Sequence, residues 1–179
     1  MLEGFLYRKL TVDFQKKPFD CGDFDLNDFF LKDAVNYLRQ LLTVTYVFES
    51  DKETVAFFSV LNDNIINQDS RTQKTISNKL ARKIPNEKRR PSYPAVKIGR
   101  LGVRINYQCH GIGCEIIDFI KVLFTDDNKT GCRFITVDAY NNERTTRFYS
   151  NNGFKFLTET DKNDDTRLMY FDLMTFIRQ

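Results

Sequence analysis

The sequence predicts a mixed α/β fold, and three observations carry that prediction. Runs of β-branched and aromatic residues recur along the chain, with 17 Phe and 8 Tyr but no Trp, as a multi-stranded sheet requires. Amphipathic helical patterns alternate with those runs. The third is the junction at residues 100–114, where an apolar, strand-like segment meets Gln-x-x-Gly-x-Gly and a helical pattern follows at once. At 179 residues the chain fits one domain over 1–179, carrying a basic insertion at about 62–95.

The elements follow in order. Phe5 to Val12 reads as the first strand. After Pro18 and Gly22 a helix is expected with Asp25 as N-cap, and Leu26, Phe29, Phe30, Tyr37, Leu38 and Leu41 fall near helical spacing. Thr43–Phe48 and Val55–Leu61 are β-rich segments, and Asp51-Lys52-Glu53 supplies the hairpin turn between them. Residues 70–84 have the pattern of a basic helix that ends at Pro85. A strand over Ala95–Arg104 leads to the glycine junction, and a helix from Gly111 to about Phe124 would bury Ile112, Ile116, Ile117, Ile120 and Leu123 or Phe124. Cys132–Ala139 reads as a buried strand and Asn142–Asn151 as a short helix. Gly153–Leu157 and Leu168–Leu173 make a last strand pair around the acidic turn 161–165. The helix between the strands near 100 and 135 is a crossover, which implies parallel pairing there. Ligands usually bind at strand ends of that kind.

Composition excludes several classes. No run of eighteen apolar residues predicts a membrane span, and the start of the chain lacks the basic and apolar regions of a secretory signal. A cytoplasmic protein with reduced thiols is expected, since Cys21, Cys109, Cys114 and Cys132 show no C-x-x-C spacing. One histidine in the whole chain argues against a structural metal site. Charge is uneven. Residues 70–104 hold eleven bases against one acid, a local +10, whereas 1–69 sum to −5 and 105–179 to −2. Such a block is a candidate polyanion surface, with Lys88, Arg89 and Arg90 at its centre, or else a solvated helix face and loop.

The glycine junction favours an anion. Gly111 and Gly113 let a ligand approach the main chain, and the first amides of the following helix have no partners within it. A Walker loop is excluded because no glycine precedes Lys-Ser or Lys-Thr, and the dinucleotide fingerprint lacks its third glycine. Gln108-x-x-Gly111-x-Gly113 after Arg100-Leu101-Gly102-Val103 resembles the coenzyme A loop of the GNAT N-acetyltransferases. Downstream, Asn142, Phe148-Tyr149 and Gly153-Phe154 resemble that family's final motif, and the likeness covers about residues 5–175.

The resemblance implies a GNAT fold, a mixed and mostly antiparallel sheet splayed at its central strands and flanked by helices. It implies acetyl-CoA as co-substrate, with no metal. The amides of Cys109, His110, Gly111, Ile112, Gly113 and Cys114 would hold the diphosphate, with Gln108 in the loop. Main-chain groups of Leu101 and Val103 would pair with the pantetheine. His110 stands where the family often has Lys or Arg, and Cys109 replaces a common glycine. Tyr149 matches the general acid that protonates the departing thiolate, a phenol being protonated at neutral pH; its plain alternative is a core aromatic. Asn142 matches a pantetheine-binding position and also reads as a helix N-cap. No general base stands out; water or an acid such as Glu49 would serve.

Phe19-Asp20-Cys21-Gly22, then Leu26-Asn27-Asp28-Phe29 and Thr45-Tyr46-Val47-Phe48, are similar to one GNAT branch, the tRNA-acetylating toxins of toxin–antitoxin modules. That likeness implies the α-amine of aminoacyl-tRNA as acceptor, a homodimer, and a ribbon-helix-helix antitoxin as partner. Gly102 replaces the branch's usual alanine, and Thr145 replaces the alanine usual before Phe-Tyr. Two other functions stay open at this level: a housekeeping GNAT acting on a small amine or a protein N-terminus, and a non-catalytic acyl-CoA-binding module.

Overall fold

A computed structural model describes residues 2–66, 92–126 and 130–177. The basic helix expected over 70–84, and Lys88, Arg89 and Arg90, lie outside the described residues. Seven strands form one sheet in the order β1-β2-β3-β4-β5-β7-β6. They are β1 (Leu6–Lys9), β2 (Val44–Glu49), β3 (Thr54–Ile66), β4 (Ser92–Val103), β5 (Phe134–Tyr140), β6 (Lys155–Phe156) and β7 (Thr166–Asp172). The helices are α1 (Phe24–Asp28) and α2 (Ala34–Arg39), joined by a π-turn over Phe29–Asp33, then α3 (Ile112–Leu123), α4 (Glu143–Asn151) and α5 (Leu173–Phe176). This is the mixed α/β sheet with flanking helices that the GNAT resemblance implies.

The chain divides into two compact units, Met1–Leu61 with Lys97–Asp127, and Asn62–Val96 with Asn128–Gln179. In the first, β1 and β2 pair antiparallel from Leu6↔Glu49 to Lys9↔Tyr46. β2 and β3 form the expected hairpin, from Val44↔Val60 to Glu49↔Thr54, with a bulge at Phe48/Glu49. Ser50 N–H donates to the Glu53 carbonyl at 3.0 Å and closes the turn. Alternation along the strands sorts the side chains. Val47 and Phe57 join Leu10, Phe19, Phe29, Phe30 and Ala34 in one apolar cluster. Tyr46, Phe48 and Phe58 face the other way; Phe48 and Phe58 meet Phe119 of α3, as does Tyr7, and Tyr46 stacks on Phe58. Buried Ile112, Ile116, Ile117 and Ile120 of α3 each contribute about 1.5–3 kcal/mol by leaving water. Leu123 and Phe124, expected in that stripe, are only half-buried.

Two sequence expectations shift here. The first helix is capped by Asp23, not Asp25: Asp23 is extended, and its carboxylate accepts the Leu26 N–H at 3.0 Å. The π-turn then breaks the 3.6-residue period, so Phe29 and Phe30 are both buried while Tyr37 stays 40% exposed. Leu41 lies beyond α2 at φ +59° and is 91% exposed, so it is no part of that apolar stripe.

In the second unit β5 and β7 pair antiparallel from Phe134↔Asp172 to Tyr140↔Thr166. The strand expected over Gly153–Leu157 shrinks to the two residues of β6, paired as Lys155↔Tyr170 and Phe156↔Met169. Ile65, Tyr93, Ala95, Phe134, Leu157 and Tyr170 form its apolar cluster. Arg167 organises the acidic turn, with Nε 2.8 Å from Asp161 and the guanidinium 4.2 Å from the Phe156 ring centre.

β4 contributes to both units, and its path is irregular. The Pro94 carbonyl accepts from Arg133 N–H at 3.0 Å on the β5 side, whereas Arg104 N–H, just past the strand, donates to Val55 on the β3 side at 2.9 Å. Residues an even number apart in a regular strand point their polar groups the same way. An odd offset, a β-bulge, therefore lies between them. Burial changes phase accordingly, from Tyr93 and Ala95 to Val96, Ile98 and Gly102. The change coincides with the handover between units at Val96 and Lys97.

Gly102 explains one departure noted in the sequence. A Cβ there would lie 2.7 Å from Phe57 Cε1 and 3.2 Å from Phe19 Cζ, so the aromatic cluster fills the space that an alanine needs. Gly102→Ala is expected to cost about 1–3 kcal/mol by overpacking, and less in a Phe57→Leu background. Paired urea unfolding curves of the four proteins check the coupling.

Candidate active site

Between β4 and α3 the chain makes a short, tightly held turn. Arg104 leaves β4 bonded to Val55 and ion-paired with Glu53 at 2.9 Å. Ile105–Tyr107 forms one 3-10 turn. Two residues then adopt left-handed backbone, Cys109 at φ +62° and Gly111 at φ +84°. Gly111 precedes α3 and has no Cβ to strain. Its carbonyl accepts the Cys114 and Glu115 N–H groups at 2.9 and 3.1 Å.

That pairing divides the amides expected to bind the diphosphate. The Cys114 N–H is consumed inside the turn, so it leaves the expected set. The N–H groups of Cys109, His110, Gly111, Ile112 and Gly113 reach no acceptor among the described residues. Cys109, His110 and Gly111 are exposed to solvent. Unpaired amides at the start of a twelve-residue helix carry partial positive charge, which suits an anion. The His110 ring is exposed, with Nδ1 2.6 Å from the Gln108 carbonyl. Glu115, an anion in the same helical turn, accepts the Leu2 N–H at 2.7 Å, and that bond holds its carboxyl below the usual range.

Gln108 does something other than its place in the loop motif suggests. Its Nε2 donates at 2.8 Å to the carbonyls of both Cys21 and Val103. Because Arg104 N–H faces β3, the main-chain groups of Leu101 and Val103 face away from β3. Of those groups, the Val103 carbonyl is already taken by Gln108. Neither the partners of Gln108 nor this facing is readable from spacing. The one local signal is Asp20-x-Gly22, the pattern of an Asx turn.

In the second unit, Asn142 caps α4: its Oδ1 accepts the Thr145 N–H at 2.9 Å. Tyr149, in the same helix, is 7% exposed and packs edge-on against Phe148 and Phe154. Burial pushes its hydroxyl above the ordinary phenol range, so it is protonated throughout the neutral range. The packing expected of a core aromatic and the protonation expected of a proton donor coexist in this side chain.

Glu49 is not placed as a base for chemistry beside Leu101. It is 2% exposed and ion-paired with Arg8 at 3.8 Å and Lys17 at 4.0 Å. It pairs with Thr54. Val55, the next residue, accepts the Arg104 N–H, so Glu49 is level with Ile105. That is about 13 Å along the strands and about 10 Å across them from Leu101. Among the described residues no group of three or more His, Cys, Asp or Glu is arranged to hold a metal.

The left-handed backbone of Cys109 predicts a stability effect. A residue with a Cβ loses about 1–2 kcal/mol in that conformation, and glycine returns about 0.5–1 kcal/mol of it through the entropy of the unfolded chain. Cys109→Gly is therefore expected to stabilise the protein by about 0.5–1 kcal/mol. The readout is a higher urea midpoint at unchanged slope.

No family model matches the chain, and no curated sequence matches it. Solved structures do. "AtaT complexed with acetyl-methionyl-tRNAfMet" superposes with a TM-score of 0.77 at 20% identity, covering 97% of this chain and 98% of that one. "AtaTR bound with AcCoA" gives 0.68 at 18% identity, covering 98% of each chain. A tyrosine-to-phenylalanine mutant of KacT gives 0.72 at 16% identity, again covering 98% of each. At such identities the likeness is one of fold, and the fold of this chain is the fold of AtaT and KacT.

Proposed function

We propose that this protein is an N-acetyltransferase that moves an acetyl group from acetyl-CoA directly to a primary amine, the α-amine of an aminoacyl-tRNA, in the manner of a toxin. The observation that carries the reading is the row of five amides, Cys109 to Gly113, at the start of α3, which reach no acceptor among the described residues. An acyl carrier with a diphosphate matches that row in charge and in hydrogen-bond sense. Structures of the same fold with AcCoA and with acetyl-methionyl-tRNAfMet support the choice of ligands.

In this reading Cys109, His110, Gly111, Ile112 and Gly113 hold the diphosphate through their amides. The outward-facing groups of Leu101 and the N–H of Val103 pair with the pantetheine, and Asn142 Nδ2, whose Oδ1 caps α4, adds a donor. The acceptor nitrogen attacks the thioester carbon, the carbon–sulfur bond breaks, and Tyr149 gives its proton to the departing sulfur. Water takes the proton that the new amide nitrogen sheds. Placement and charge stabilisation carry the reaction, with no nucleophilic side chain. The basic segment with Lys88, Arg89 and Arg90 contacts the tRNA backbone. A second copy of the chain and a ribbon-helix-helix antitoxin are the proposed protein partners. A cytoplasmic site of action follows from such a substrate; no helix among the described residues is long and apolar enough to cross a membrane.

The deciding experiment follows thiol release from acetyl-CoA with methionyl-tRNA, polyamines and peptides as acceptors. Release with the aminoacyl-tRNA alone, together with growth arrest on expression, supports the toxin. Turnover of small amines or peptides without arrest supports a housekeeping enzyme, and binding without release a non-catalytic module. Tyr149→Phe is expected to lower kcat by about 10²–10⁴-fold while leaving the acetyl-CoA Kd unchanged. Because the folded phenol titrates above its ordinary value, Tyr149 stays protonated between pH 8 and pH 10, and kcat is expected not to fall across that window. Gly111→Asp is expected to abolish acetyl-CoA binding in calorimetry, through phosphate repulsion and a Cβ at positive φ.

Reversing Lys88, Arg89 and Arg90 to Glu is expected to weaken tRNA binding and to reduce the slope of log K against log salt by about two to three. Filter binding across salt concentrations measures it.

A further inference from the structure

The segment Phe19-Asp20-Cys21-Gly22 and Asn27 have no place in the chemistry above, yet they form a closed hydrogen-bonded knot. Asp20 Oδ1 accepts the Gly22 N–H at 2.8 Å and Asn27 Nδ2 at 2.7 Å. Asn27 Oδ1 in turn accepts the Cys21 N–H at 2.9 Å and the Cys21 thiol at 3.2 Å. The first two bonds also hold the Asp20 carboxyl below its usual range. Cys21 is buried and its thiol is pushed up by that burial, so it is a packing group and not a nucleophile.

The knot presents two main-chain carbonyls to the turn between β4 and α3. The Asp20 carbonyl accepts the Ile105 N–H at 3.0 Å, and the Cys21 carbonyl accepts Gln108 Nε2 at 2.8 Å. Both ends of the Ile105–Gln108 segment are thus tied to one anchor. Gln108 spends its second N–H on the Val103 carbonyl. A side-chain amide has two donors, and here both are committed to carbonyls. Its other polar atom is an oxygen, and an acceptor cannot bond a phosphate oxygen. The assignment of oxygen and nitrogen is fixed, since both partners are carbonyl oxygens.

We propose that Asp20, Asn27 and Gln108 are positioning residues that set the amides of Cys109–Gly113 for the diphosphate of acetyl-CoA, and that the Gln108 side chain does not donate to that diphosphate. This rests on the acetyl-CoA reading above and assigns a task to the Asp20–Asn27 motif within it. The energetic reason is geometric. Unpaired amides bind an anion well only if they converge, because each hydrogen bond weakens steeply as its distance and angle leave the ideal.

The test uses the full-length protein and measures acetyl-CoA Kd by calorimetry together with KM and kcat for amine acetylation. Asn27→Ala and Gln108→Ala are each expected to raise the acetyl-CoA Kd and KM about tenfold or more, with kcat at saturating acetyl-CoA changing less than threefold. The double variant is expected to bind no worse than the weaker single variant, because both changes break one connection. Additive losses, or a Gln108→Ala loss that falls on kcat, would overturn the proposal by showing an independent contact with the cofactor. Unchanged affinity in both single variants would overturn it as well. If Asn27→Ala does not fold, Asp20→Ala takes its place in the cycle. A wild-type protein that binds no acetyl-CoA at all refutes the cofactor reading, which is a separate outcome from a failed cycle.

Discussion

The structure depends on the direction in which main-chain N–H groups point after β4. Five successive amides, from Cys109 to Gly113, reach no acceptor among the described residues. Amides without a protein partner at a helix start suit a compact anion, which is the role proposed for this turn. Everything before the turn serves to bring the chain there in a fixed attitude. Arg104 is held by Val55 and Glu53, and Gln108 by Cys21 and Val103. The turn is therefore rigid at its entry and helical at its exit.

β4 links that receptor to the rest of the fold. Its first residues belong with β5 and its last with β3, and an odd offset between Pro94 and Arg104 reconciles the two. A bulge of this kind re-aims polar groups without ending a strand. It explains why Leu101 and Val103 turn their main chain away from β3. The aromatic cluster beneath β4 leaves no room for a side chain at Gly102, with Phe57 and Phe19 in contact range.

Charge is used sparingly at the site. The cradle is made of dipoles rather than side-chain cations, and the one acid in the first turn of α3, Glu115, is tied to the Leu2 N–H. The buried carboxylate Glu49 lies 3.8 Å from Arg8 and 4.0 Å from Lys17, both on Oε2. Tyr149 keeps its proton through burial. The proposed direct acyl transfer needs no further ionised group.

Much of this was readable in one dimension. The glycine turn, the helical stripe of Ile112, Ile116, Ile117 and Ile120, the Asn142 cap and the hairpin at Asp51-Lys52-Glu53 are all set by neighbours within a few residues. Short-range sterics and periodicity decide such features, so the residues announce them. Other features were decided only when distant segments met. The partner of Gln108 is 87 residues away in the chain. The bulge in β4 arises from two different neighbours, and the π-turn that buries both Phe29 and Phe30 answers to the packing of Phe57. Local order told where an anion would be held; tertiary contacts fixed which groups aim at it, because hydrogen-bond direction and side-chain space belong to the assembled chain.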